Sequence, residues 1–238
     1  MTRGARGAER RTVARPQRLP RIDRSERSIY DPDCTRCPRL AEFLAKCHSR
    51  YPTYWCRPVP SFGDPRPRIV LVGLAPGLHG ANRTGRPFTG DYAGILLYET
   101  LYELGLSTRR ESVSADDPLE LRGVRIVNSV KCVPPENKPL PVEIRECNSY
   151  LAAELGRLAS ARVLVALGRI GHDAALVALG LKRSAYPFAH GAEHRLGDTQ
   201  LLLDSYHCSR YNTQTGRLTA PMFRAVLERA CKLAGLAR

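Results

Sequence analysis

The chain of 238 residues carries a formal charge of +14, with 37 basic against 23 acidic residues, and is 43% hydrophobic. That is enough for one α/β domain with a substantial core, and the positive excess points to a polyanionic partner, most simply nucleic acid. No apolar run approaches the roughly 18 residues needed to span a bilayer, and no signal-peptide core stands near the start; membrane insertion is excluded and a cytoplasmic, nucleoid-associated setting of prokaryotic type is expected.

Residues 1–29 hold nine arginines and three acids, with few and aperiodic apolar positions. They read as a disordered basic arm that could slide on DNA, with an organellar targeting peptide or an unimportant extension as alternatives. A single domain is expected over 30–238. Cys34-Thr-Arg-Cys37-Pro heads a helix running to about Lys46, with Leu40, Phe43 and Leu44 at helical spacing. A proline-rich connection without period fills 51–67. The apolar run Ile69 to Leu74 predicts a buried strand, and it breaks into a long turn with glycines at 73, 77, 80, 85 and 90. Such a loop lets backbone N–H groups face a ligand at close range, and its glycines would admit a DNA backbone. Phe88 and Asp91 close the loop before a helix that carries Ile95, Leu96, Leu97, Leu101 and Leu104.

Residues 107–122 are polar and read as a surface excursion. A second strand over Val124–Val130 delivers Lys131-Cys132, and Pro141 opens a helix carrying Cys147, Tyr150, Leu151, Leu155 and Leu158. A third strand over 162–167 precedes a helix to about Leu179. A fourth, Gln200 to Asp204, leads into Ser205-Tyr-His-Cys-Ser209, and a closing helix fills about 220–235. Strands alternating with helices imply right-handed crossovers and a mostly parallel sheet covered on both faces. Ligands in such folds sit beyond the carboxyl ends of the strands. The 73–91 loop, Asn128 to Lys131 and His207 all fall there, so the topology gathers them into one site.

Eight cysteines without an export signal argue for metal ligation over disulfides. Cys34 and Cys37 form a C-x2-C clip, and Cys132 and Cys147 complete a set of four. Tetrahedral zinc and a 4Fe–4S cluster both accept four thiolates, so the spacing leaves the choice open. Cys47, Cys56 and Cys231 read as ordinary thiols, and His79, His172, His190 and His194 as ordinary structural or surface histidines.

GLAPG with GRPFTGD, NSVKCVPP, and HCS followed by NTQTGRLT resemble the motifs of the uracil-DNA glycosylase superfamily, most closely its iron–sulfur type b, or family 5, members. The resemblance covers about residues 34–230. It implies a three-layer α/β/α fold with a central four-stranded, mainly parallel sheet. It also implies a structural 4Fe–4S cluster on Cys34, Cys37, Cys132 and Cys147, and a monomer that excises deaminated bases from double-stranded, and also single-stranded, DNA. By the same resemblance Phe88 stacks on a flipped base, Asn128 reads its edge, His207 is the histidine of the second motif and Asp91 is the family-5 acid. Gly73, Ala75, Pro76 and Gly77 line the base site.

Two departures matter. Leu74-Ala75 stands where other branches carry a polar residue, which leaves Asp91 as the nearest acid for water activation, although Asp91 could equally cap the following helix. Cys208 stands where proline is usual, and cysteine does not fix φ. Arg210, Tyr211 and Arg217 stand where an intercalating loop would lie, a side chain from 210–211 being expected to fill the gap left by the flipped base. Ser209 is a further DNA-binding candidate, and Arg86 and Arg217 are expected to touch phosphates. The absence of a Schiff-base lysine from the loop motifs implies hydrolysis without strand cleavage. The competing reading is a metal- or cluster-stabilised nucleic-acid-binding module without catalysis; electron transfer through the cluster would leave the three loops unexplained.

Overall fold

A computed structural model describes residues 29–236. The basic arm, apart from its last residue, lies outside the described residues. In chain order the elements are α1 (Pro38–Arg50), β1 (Phe62–Gly63), β2 (Ile69–Gly73), α2 (Ala81–Thr84), α3 (Tyr92–Glu103), β3 (Val124–Asn128), α4 (Pro141–Arg157), β4 (Val163–Leu167), α5 (Arg169–Ala178), β5 (Glu193–Leu196), β6 (Gln200–Ser205), α6 (Arg210–Gln214) and α7 (Ala220–Ala234). No helix among the described residues is long and apolar enough to cross a membrane.

The strands come from short, continuous apolar runs. β2 and β4 are buried along their whole length, as parallel strands covered on both faces must be. The sheet order is β1-β3-β2-β4-β6-β5, and its four inner strands run parallel. These are the four strands the sequence predicts. Two antiparallel edge strands, β1 and β5, extend them to six. Neither edge carries an apolar run: β1 is two residues long inside the proline-rich connection, and β5 is mostly polar. Short, polar edges are a common way of discouraging pairing with other chains.

Alternate strand residues feed two cores. Leu71, Ile126, Val165 and Leu203 pack with Leu97, Leu101 and Phe223 of α3 and α7. Val72, Val127, Leu164 and Leu202 pack with Leu151, Ala175 and Leu176 of α4 and α5. α1 lies outside these layers and joins α4 through Leu40, Leu44, Cys147 and Tyr150. Proline stands in the first turn of α1, α4 and α7, where its missing N–H costs nothing. The register sets Gly73 beside Asn128 and Leu167 beside Ser205. The polar residues that follow each strand therefore emerge together at one edge of the sheet.

Candidate active site and metal centre

At the carboxyl ends of β2 and β3, Asn128 is buried to 3% exposure, and its Oδ1 has no hydrogen-bond partner among the described residues. A buried acceptor left alone is costly, about 1–3 kcal/mol, and usually marks a place for a ligand or water. A Cβ at Gly73 would lie 2.5 Å from that oxygen and 2.9 Å from the Phe88 ring. Glycine thus keeps open the space between the amide and the ring.

Phe88 has φ of +56°, a left-handed conformation unusual for a bulky residue. Its neighbours hold it there. Tyr98 donates to the Pro87 carbonyl at 2.8 Å, the Thr89 and Ser112 hydroxyls meet at 2.8 Å, and Gly94 leaves room for the Phe88 carbonyl. Strain held by surrounding structure is characteristic of ligand-clamping residues. The Phe88 and His207 rings lie 6.0 Å apart at 27°, so β6 brings its histidine to the same place.

Arg86 is a correction. Expected to touch phosphate, it is buried, with its guanidinium on Asp117 and Ser112 and over the Phe62 ring at 4.3 Å. Buried and paired in this way, it presents no free guanidinium to a phosphate. Burial pushes Asp117 up, but Arg86 and the N–H groups of Val113, Ser114 and Leu119 together hold it below the usual carboxylate range. The 107–122 stretch is consequently no mere surface excursion: Ser112, Leu119 and Leu121 are buried, and it braces the Phe88 loop from behind. Replacing Asp117 by alanine would strand the buried Arg86 charge, and urea denaturation is expected to record a loss of roughly 3 kcal/mol.

Asp91 occupies the N-cap position of α3 in extended conformation, without a side-chain capping bond. Its carboxylate lies against the glycine loop. A Cβ at Gly80 would come within 2.2 Å of Asp91 Oδ2, and one at Gly77 within 3.2 Å. These glycines make room for Asp91 rather than for a DNA backbone, which corrects the expectation from sequence. Burial raises the Asp91 pKa, against the lowering effect of the Ala81, Gly94 and Ala93 N–H groups.

His207 is pushed down to about 4 by burial, so its imidazole is neutral near pH 7. Its backbone is anchored, since its carbonyl accepts from Asn212 Nδ2 at 2.8 Å. Cys208 is fully buried in the core, with burial pushing its thiol up to about 12. Packing here holds the chain where proline is otherwise usual.

A groove of about 480 Å³ runs past His207, lined by Leu74, Gly168, Phe188, Tyr206 and Arg217 among others. The Arg217 guanidinium lies 4.6 Å over the Tyr206 ring and remains exposed. Ser209 caps α6, accepting from the Asn212 N–H at 3.4 Å. That leaves Arg210 beside Tyr92 and Tyr211 at 71% exposure as the projecting groups. Of the loop, Pro76 is buried, and Ala75 packs toward the α1–α4 core.

Cys34, Cys37, Cys132 and Cys147 line one cavity, together with Arg36 and Tyr150. All four are free thiols, and the Lys131 N–H donates to Cys147 Sγ at 3.2 Å. Burial and the other sulfurs push Cys37 up to about 11 and raise Cys132 and Cys147 as well. Four convergent sulfurs that cannot easily ionise alone fit a positively charged metal or cluster core, which would supply the charge that makes them thiolates. Lys131 does stand within NSVKCVPP, a lysine the motif reading overlooked. It is buried, with Nζ on Ser61 Oγ at 2.9 Å and Glu154 Oε2 at 3.1 Å.

The family model described as the uracil DNA glycosylase superfamily matches residues 60–231. A type-5 uracil-DNA glycosylase of Thermus thermophilus is 53% identical over 208 residues, covering 85% of this chain and 94% of the relative. One of Pyrobaculum aerophilum is 44% identical over 207 residues, covering 85% and 90%. A type-4 uracil-DNA glycosylase of Archaeoglobus fulgidus is 40% identical over 112 residues, 47% of this chain and 48% of the relative.

Proposed function

The chain belongs to the uracil-DNA glycosylase superfamily, and from that premise we propose that it excises uracil from DNA by hydrolysing the N-glycosyl bond. The observation that carries the proposal is the buried, unpartnered Asn128 Oδ1 facing the space that Gly73 and Phe88 keep open. A flipped uracil would stack on Phe88, give its ring N–H to Asn128 Oδ1 and present a carbonyl to the amide N–H. Neutral His207 would donate to the other carbonyl, where negative charge grows as the bond electrons pass to the base. Water would add to the sugar carbon and lose its proton to Asp91, leaving a free base and an abasic sugar.

Uracil, hypoxanthine and ethenocytosine are the proposed substrates, the apolar Leu74-Ala75 giving a roomy pocket. The buried Glu154 and Ser61 contacts of Lys131 support hydrolysis without a lyase step. Cys34, Cys37, Cys132 and Cys147 would hold a 4Fe–4S cluster, which would cross-link the start of α1 to the β3–α4 connection and to α4 itself. Iron and sulfide analysis separates this from zinc. We take the working form to be a cytoplasmic monomer acting on double-stranded, and also single-stranded, DNA.

Base release from duplexes holding each of the three bases tests the reading, and binding without release would overturn it. Arg217 is the proposed phosphate contact. In Arg217→Gln the log–log salt dependence of DNA binding should flatten by about one; an unchanged slope removes the contact.

A further inference from the structure

Away from the pocket, His172 of α5, His194 of β5 and Asp204 of β6 bring their donor atoms within 4.8 Å of one another. Asp204 is fully buried; its Oδ1 meets His172 Nδ1 at 2.7 Å and its Oδ2 meets His194 Nε2 at 3.0 Å. The other ring nitrogen of His172, Nε2, faces the Tyr186 carbonyl at 2.8 Å. A carboxylate and a carbonyl only accept. With Asp204 as carboxylate, both His172 nitrogens must therefore donate, unless a metal replaces the proton on Nδ1. His194 needs only its neutral tautomer with the proton on Nε2.

Charge balance decides between proton and metal. One carboxylate with one imidazolium is neutral, whereas a divalent ion would leave a net positive charge buried beside the Phe188 and Tyr186 rings. The same residues govern a wall of the groove. Gly191 N–H donates to the Asp204 carbonyl, Asp204 N–H donates to Ala192, and Phe188 and Ala189 line the groove beside His207.

We propose that His172, as an imidazolium clamped between Asp204 and the Tyr186 carbonyl, is a positioning residue that latches segment 186–190 to the sheet and fixes the groove wall beside His207. The groups that face it are Asp204, His194 and, more distantly, Asp173, which is paired with Arg183 at 3.5 Å. Burial alone would lower His172; the bond and charge of Asp204 and the Tyr186 carbonyl outweigh it and raise the group above 6.5. The latch is thus fully present below pH 6.5 and is lost as pH rises through the folded-state value.

The test uses the full chain with its cluster, labelled with nitrogen-15 histidine. At pH 6 both His172 ring nitrogens should report a proton, and the amides of 186 and 188–192 should lose about tenfold exchange protection in His172→Gln. Raising pH on the wild type should release the same amides, which keeps the test valid if the variant does not fold. A neutral His172 at pH 6, unchanged protection, or a stoichiometric divalent ion at this cluster would each overturn the latch. The kinetic arm rests on the proposed glycosylase activity: KM for uracil-containing duplex should rise about fivefold in His172→Gln, with kcat within about twofold. An unchanged KM would refute the positioning role. Lack of uracil release by the wild type would instead sink the activity and leave the ring and exchange measurements standing.

Discussion

Asn128→Ala is expected to lower kcat/KM for uracil release by about two to three orders of magnitude, while the sheet stays folded. The loss is set by what the amide does alone. Its Oδ1 is buried with no partner among the described residues, so the folded protein already carries the desolvation cost of that acceptor, and a ligand N–H recovers it. A site built around a buried polar group discriminates strongly, because the wrong ligand leaves that group unpaired. The effect should fall mainly on bases that offer a ring N–H beside a carbonyl. Gly73→Ala makes a companion test. Its methyl would fall 2.5 Å from Asn128 Oδ1 and 2.9 Å from the Phe88 ring, filling the slot without removing either group. Release should drop by at least about tenfold, with a stability loss of about 1–3 kcal/mol as the buried amide and ring give way, so the rate is read well below the melting temperature. If both variants retained wild-type rates, with uracil release from duplex DNA as the measurement, the space between Gly73 and Phe88 would not be the base slot.

What the sequence made legible was what short-range chemistry dictates. β2 and β4 are legible because parallel strands buried on both faces must be continuous apolar runs, whereas Arg125 interrupts β3 and is only half-buried. The cysteine set was visible because four sulfurs serving one centre need particular spacings, and one cavity does gather all four. Asn128 and His207 were found through motifs, and their burial is a property no motif displays. Arg86 was misread because a charged residue in a glycine loop looks solvated; its partner Asp117 lies 31 residues away in a stretch without period. The glycines were misread for a related reason. Their positions announce a close approach, yet only the fold shows that Asp91, Asn128 and Phe88 are what approaches. His172, His194 and Asp204 come from three elements and share no local pattern, so nothing in the chain order announces that they meet.

Asp91→Asn is the variant that decides whether the acid works as a base or as a cap. Asparagine caps a helix about as well as aspartate, so a capping role predicts near wild-type rates. A proton-accepting role predicts a fall of about 10²-fold or more in kcat. The carboxylate lies against Gly77 and Gly80 at the mouth of the loop, and the Ala93 and Gly94 N–H groups in the first turn of α3 act on it as well, so the rate of this variant is what separates the two roles. The pH dependence gives an independent reading. Burial places the Asp91 pKa above its ordinary 3.8, so the basic form is lost earlier on acidification than for a solvated aspartate. If Asp91 is the base, the acid limb of kcat should stand above the ordinary aspartate range, and His207, pushed down to about 4, is neutral at working pH. Because the folded chain binds this proton more tightly than the unfolded chain, protonation of Asp91 contributes stability on acidification. The rate should therefore fall over a range where this group holds the fold more firmly, which separates titration of the base from acid unfolding. In Asp91→Asn that limb should vanish along with the rate. An acid limb that persists unchanged, measured as single-turnover uracil release against pH with circular dichroism in parallel, would assign it to another group.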